Sequence, residues 1–82
     1  MTHQLKTWTW FFQAIVDGKK PWEIRFNDRD FKVGDILILR EFDPERNSYT
    51  GKILKRQVEY IYSSAYGLEK GYVIMTLSEI QN

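Results

Sequence analysis

The chain has 82 residues, 43% hydrophobic and 16% aromatic, which suits one small domain around a single shared core and argues against disorder. Twelve Lys and Arg against eleven Asp and Glu give a formal charge of +1, well short of the basic excess of a protein that grips many phosphates. With no cysteine and one histidine, disulfides and thiolate metal sites are excluded and no zinc-ligand set is left, so neither a metal nor any other cofactor is expected.

In chain order, His3 to Lys6 is predicted as a short edge strand with His3 and Leu5 on one face. Thr7 or Thr9 then caps a helix in which Trp8, Phe11, Phe12, Ile15 and Val16 recur at helical spacing, ending near Asp17. That stripe is expected to pack against a barrel. Trp10 points away from it, either covering the end of the barrel or offering a flat surface to a nucleobase. Gly18 suits the position after a helix end, where positive φ is wanted. Pro21 fits the connection or the first residue of a strand in which Trp22, Ile24 and Phe26 alternate with Glu23, Arg25 and Asn27. The apolar set is expected on the core, the polar set on the opposite face.

Asp28-Arg29-Asp30 is polar, and Val33-Gly34-Asp35 reads as a turn into Ile36-Leu37-Ile38-Leu39, predicted as the most buried strand, with Arg40 and Glu41 marking where it leaves the core. Phe42 to Thr50 is rich in turn formers and is predicted as an exposed hairpin loop. A long strand follows from Gly51. Parity places Val58, Tyr60 and Tyr62 on one of its faces and Glu59 and Ile61 on the other, and its length suggests a bend or bulge. A connection over 63–71 leads to a last strand, Tyr72 to Leu77, and a patternless tail from Ser78. The sum is a single α+β domain over 1–82, a small mixed β-barrel of about five or six strands with one covering helix.

Met1-Thr2-His3-Gln4 lacks a basic start followed by an apolar run, and no apolar segment approaches membrane-spanning length. A cytoplasmic protein without a membrane partner is therefore expected. Glu23 and Arg25 lie two apart on one strand face and Lys20 enters from the preceding turn, which makes a small polar pocket. Its cations suit a phosphate or a polarised carbonyl, its carboxylate a base edge, a ribose or water. The plainer reading is an ion-pair stripe on a solvated face, worth about 0–1 kcal/mol.

The pattern Gly18-x-Lys20-x-x-Glu23-x-Arg25 resembles the signature of the ASCH superfamily, small barrels related to the PUA RNA-binding fold. His3-x-Leu5-Lys6-Thr7, the run Asn27 to Asp35, Tyr49-Thr50-Gly51 and Gly71-Tyr72-Val73 resemble short, uncharacterised bacterial and phage members, so the likeness covers nearly the whole chain. It implies a PUA-like fold and a ligand cleft between barrel and helix built from Lys20, Glu23 and Arg25, with His3, Lys6 and Asn27 as neighbours and Tyr49 and Thr50 as flanking candidates. The implied partner is RNA or a nucleotide-like small molecule.

A second function follows from the same resemblance. Some ASCH-like domains hydrolyse an acyl group from the exocyclic nitrogen of a cytosine nucleoside with a lysine, a threonine and a later glutamate. Lys20 matches the lysine, but Glu23 stands where the threonine would, so a hydrolase here would rest on Lys20 and Glu23, with Glu23 activating water. A third possibility is a protein-interaction domain whose cleft has no catalytic role.

Overall fold

In the computed structural model, which describes residues 1–63 and 66–80, the elements run β1 (Thr2–Trp8), α1 (Thr9–Val16), β2 (Trp22–Phe26), β3 (Ile36–Asp43), β4 (Ser48–Ser63) and β5 (Tyr72–Glu79). Residues 64 and 65 of the connection expected over 63–71, and residues 81 and 82 of the tail, lie outside the described residues. The strands form one sheet in the order β1-β3-β4-β5-β2, with β1 parallel to β3 and every other pair antiparallel.

β1 and β2 end the strand order, yet they face each other. The Arg25 guanidinium donates from Nη2 to the Lys6 carbonyl at 2.7 Å, and Arg29 donates from Nη1 to the Gln4 carbonyl at 2.7 Å. Two side chains thus bridge the seam where backbone pairing would close a barrel, and the sheet is a curled half-barrel. Its concave side holds a core of Leu5, Ile15, Phe31, Leu37, Leu39, Val58, Val73, Met75 and Leu77.

The helix buries less of its stripe than its spacing predicts. Phe12 and Ile15 are buried, whereas Trp8, Phe11 and Val16 are exposed. At 8 residues it makes about two turns, too few for a five-residue stripe to reach one surface. Thr7 is still in β1 and Trp8 occupies the N-cap position without a side-chain cap, so the expected threonine cap is absent. The helix stops as Gly18 suggests: Lys19 N–H donates to Ala14 O at 2.9 Å and Gly18 N–H to Ile15 O at 3.1 Å, with Gly18 at φ +75°. This Schellman turn delivers Lys20 to the mouth of the seam.

Three expectations about faces are corrected. In β2 the apolar set points outward, with Trp22 40%, Ile24 46% and Phe26 53% exposed, while Glu23 is buried at 4%. Backbone bonds at both ends pin that register, Leu77 N–H to Pro21 O at 3.0 Å and Asn27 N–H to Gly71 O at 2.8 Å, and a one-residue slip would be needed to turn the strand over. Phe26 lies so close over Gly71 that a Cβ there would come within 2.7 Å of its ring, which adds steric pinning. In β4 the register shifts between Val58 and Tyr60, so Ile61 joins the core side with Val58, while Tyr60 and Tyr62 face outward. In β3 the strand does not leave the core at Arg40: Glu41 is buried and accepts a 2.6 Å bond from Thr50 Oγ1.

His3 and Asp35 form a buried pair, His3 Nε2 lying 2.8 Å from Asp35 Oδ2, with further bonds to the carboxylate from Lys32 N–H and the Met1 amine at 3.0 Å each. Burial pushes the Asp35 carboxyl up, but the bonds from His3, Lys32 and Met1 outweigh it and hold the group at about 2, below its ordinary 3.8. A depressed carboxyl contributes stability that is present above its unfolded value and lost as pH falls through the folded one. Stability is therefore expected to drop between about pH 4 and pH 2. Because the Met1 partner is largely exposed, the contribution is about 1 kcal/mol, well short of the full linkage. Urea titrations across that range should show a flatter acid limb for Asp35→Asn; identical limbs would remove Asp35 as its source.

Candidate functional site

Between the facing edges of β1 and β2 runs a groove of about 430 Å³. Lys6 and Trp8 form one wall and Trp22 and Ile24 the other, Phe11 contributes from the helix, and Thr7, Lys20, Glu23 and Arg25 complete the lining.

The polar part is a closed network. Lys20 Nζ donates to Glu23 Oε1 at 3.0 Å and to the Trp22 carbonyl at 2.8 Å, and Arg25 Nε donates to Glu23 Oε2 at 2.9 Å while its Nη2 holds Lys6 O. Two cations around one carboxylate leave one net positive charge beside the groove. Glu23 can be buried because each of its oxygens accepts from a cation, which offsets the cost of withdrawing it from water. The expected Lys20, Glu23 and Arg25 cluster is real, but it faces inward and its bonds are spent on the fold.

The aromatic part is open. Trp8 packs edge-on to Trp10 at 5.3 Å between centroids and lies nearly parallel to Phe11 at 6.5 Å. Across the groove the Lys20 ammonium sits 4.6 Å from the Trp22 ring centroid and 5.6 Å from that of Phe11. Trp8, Trp10, Phe11 and Trp22 are all 40% exposed or more, an unusual cost for a chain this small.

Of the six residues singled out from the sequence, Lys6, Lys20, Glu23 and Arg25 line this groove. His3 does not; it points to the concave side and is held by Asp35. Asn27 borders a different hollow, and its Oδ1 accepts from Phe31 N–H at 2.9 Å, fixing the loop after β2. Tyr49 packs edge-on against Phe42, and Thr50 is tied to Glu41. Spacing assigns Trp8, Phe11 and Trp22 to the core and Thr7 to a cap, whereas all four line the groove. Thr7 is 2% exposed, and its Oγ1 has no hydrogen-bond partner. The parity of β1, which puts Thr7 on the face of His3 and Leu5, was the available signal.

Among the described residues no group of three or more His, Cys, Asp or Glu side chains is placed to hold a metal, and no helix is long and apolar enough to cross a membrane.

A curled five-stranded mixed sheet with one short helix and an aromatic groove along its seam defines a small α+β half-barrel. The chain belongs to the family described as Domain of unknown function (DUF3850), which it matches over residues 2–77. It is also similar to an uncharacterised 12.9 kDa protein in the GpA 3′ region of Escherichia phage P2, 30% identical over 73 residues. That match takes in 89% of this chain but 64% of the phage protein, so the chain spans less than two thirds of that relative's length.

Proposed function

We propose that the domain binds a nucleic acid or nucleotide-like ligand, RNA being the leading candidate, by inserting a base between the aromatic walls of the seam groove. The observation that carries this reading is the set of exposed rings, Trp8, Phe11 and Trp22, around a rigid, net-positive polar cluster. Base stacking on such rings contributes about 1–3 kcal/mol per base and tolerates sequence variation. The near-neutral charge implies modest affinity and weak phosphate gripping. The same reading places the chain in the ASCH superfamily with a PUA-like fold, supported by the Gly18 to Arg25 pattern and by the mixed, curled sheet.

The test is quenching of the intrinsic tryptophan fluorescence by short single-stranded RNA, nucleotides and nucleosides, with chromatography of each mixture. Trp22→Ala and Trp8→Ala are each expected to weaken binding about tenfold or more, the worth of one lost stacking contact. Wild-type affinity in both variants would sink the groove as the site. Release of the acyl group from an N4-acylated cytidine would instead assign a hydrolase. Against that stands Glu23, which is buried and whose two oxygens each already accept from a cation, Lys20 or Arg25, a pairing that weakens it as a base towards water.

A protein-interaction role has its own support. The outer face of β2, β5 and β4 shows Ile24, Phe26, Tyr60 and Tyr62, and Phe26 meets Tyr72 edge-on at 5.5 Å. Tyr60→Ser or Tyr62→Ser, both outside the groove lining, should leave base binding unchanged; loss of binding there would move the site to this face.

A further inference from the structure

We infer that Lys6 and Arg40 form a phosphate-binding lip beside the groove, so that its ligand is a phosphorylated nucleotide, free or within a single strand, and not a bare nucleoside. The inference rests on the groove reading above and adds a second contact to it.

Lys6 and Arg40 stand opposite each other on the parallel strands β1 and β3. Both point to the convex face, because Leu5, Thr7, Leu39 and Glu41 on either side of them are buried. Like charges at opposed positions repel, and a carboxylate beside them would relieve that repulsion. None is here. Among the described residues Lys20, Arg25, Lys32 and Arg46 have a carboxylate within ion-pair distance; Lys6 and Arg40, like the remaining Lys and Arg, have none, but they alone of these stand opposite each other across the β1–β3 pair. The neighbouring Glu41 is turned to the other face and bonded by Thr50.

Both cationic heads are also held in place. The Lys6 ammonium lies 4.2 Å from the centroid of Phe42, the Arg40 guanidinium lies 4.0 Å from the centroid of Tyr49, and those two rings meet edge-on at 5.2 Å. One aromatic pair thus seats both charges, which reduces the side-chain freedom that an anion would otherwise have to freeze out. Stacking uses the flat face of the guanidinium and leaves its N–H edge for phosphate oxygens, which its fork geometry suits. Lys6 is itself part of the groove wall. Arg40 stands one strand further out, about 4.8 Å, a step that a nucleotide crosses through its ribose. A base in the groove would leave its phosphate over this pair.

Isothermal titration of the whole chain with adenosine and uridine, their 5′- and 3′-monophosphates, and a short single-stranded RNA provides the test. The phosphorylated ligands are expected to bind about tenfold tighter than the nucleosides at low salt, the size of an added charge-assisted contact. The advantage should shrink as salt rises. Arg40→Gln, checked for folding by circular dichroism, should remove most of it without changing nucleoside affinity, and Lys6→Gln should also reduce it. A gain for the monophosphates supports the lip with a terminal phosphate, and a gain confined to the RNA supports it with an in-chain one. A gain that survives both substitutions, or no gain while nucleosides bind, overturns the lip and leaves the groove reading standing. No binding by any of these ligands overturns both.

Discussion

Glu23→Ala is expected to destabilise the domain by about 3 kcal/mol, because it leaves two partly buried cations without their shared counterion. The Lys20 and Arg25 side chains are only 12% and 28% exposed, so water cannot fully replace the carboxylate. For a chain of this size each kcal/mol corresponds to about 4–8 °C in Tm, which makes the loss easy to read in a thermal or urea melt. Glu23→Gln keeps the shape of the side chain but loses its charge, and it should cost less than Glu23→Ala. Replacing all three residues by apolar ones of similar volume should recover much of the loss, since a buried ion network is costly chiefly when broken. A Glu23→Ala variant that melts within about 1 kcal/mol of wild type would mean that the network is a solvated stripe after all.

The number, order and type of the elements were legible because strand and helix periodicities differ and because Gly18, Pro21 and the run around Pro44 punctuate the chain. Which face of β2 is buried was not. Alternation shows that two faces differ, and the usual rule then turns the apolar one inward. It fails here because Lys20 and Arg25, three residues before and two after Glu23, give each oxygen of one carboxylate a cationic donor and make the polar face buriable. The signal was present in the charge pattern, but its outcome depended on the β2–β5 register.

Tyr60 and Tyr62 were misplaced for a simpler reason. A single extra residue near Glu59 reverses parity, and no residue type there announces it. The burial of His3 depended on Asp35, 32 positions away, and the placement of Arg40 depended on a strand that continues past the expected end of its apolar run. Three residues of the motif from Gly18 to Arg25, Lys20, Glu23 and Arg25, line the groove, while its aromatic walls are residues whose spacing alone assigns them to the core.

Arg25 shows why the same motif serves both fold and site. Its Nε holds Glu23 and its Nη2 holds the carbonyl of Lys6, so one rigid guanidinium spans the two edges of the sheet and sets the width of the groove. An ammonium is a compact point charge on a flexible stem, and it cannot reproduce that two-sided fork. Arg25→Lys is accordingly expected to cost about 1–2 kcal/mol despite keeping the charge, and Arg25→Ala about 2–3 kcal/mol. The loss should be local as well as global: hydrogen exchange should speed up in β1, whose other edge is tied only to β3, while β4 and β5 keep their protection. Arg29, bonded to Gln4 O, keeps the seam partly closed, so the single variants should remain folded and the pair Arg25→Lys with Arg29→Lys should lose more than either alone. Base binding should weaken in Arg25→Lys to a degree that added salt does not explain, because what changes is the spacing of Trp8 and Trp22 and not the charge between them. Unchanged melting and unchanged exchange in β1 would show that backbone curvature alone holds the half-barrel, and would leave Arg25 free to meet a ligand directly.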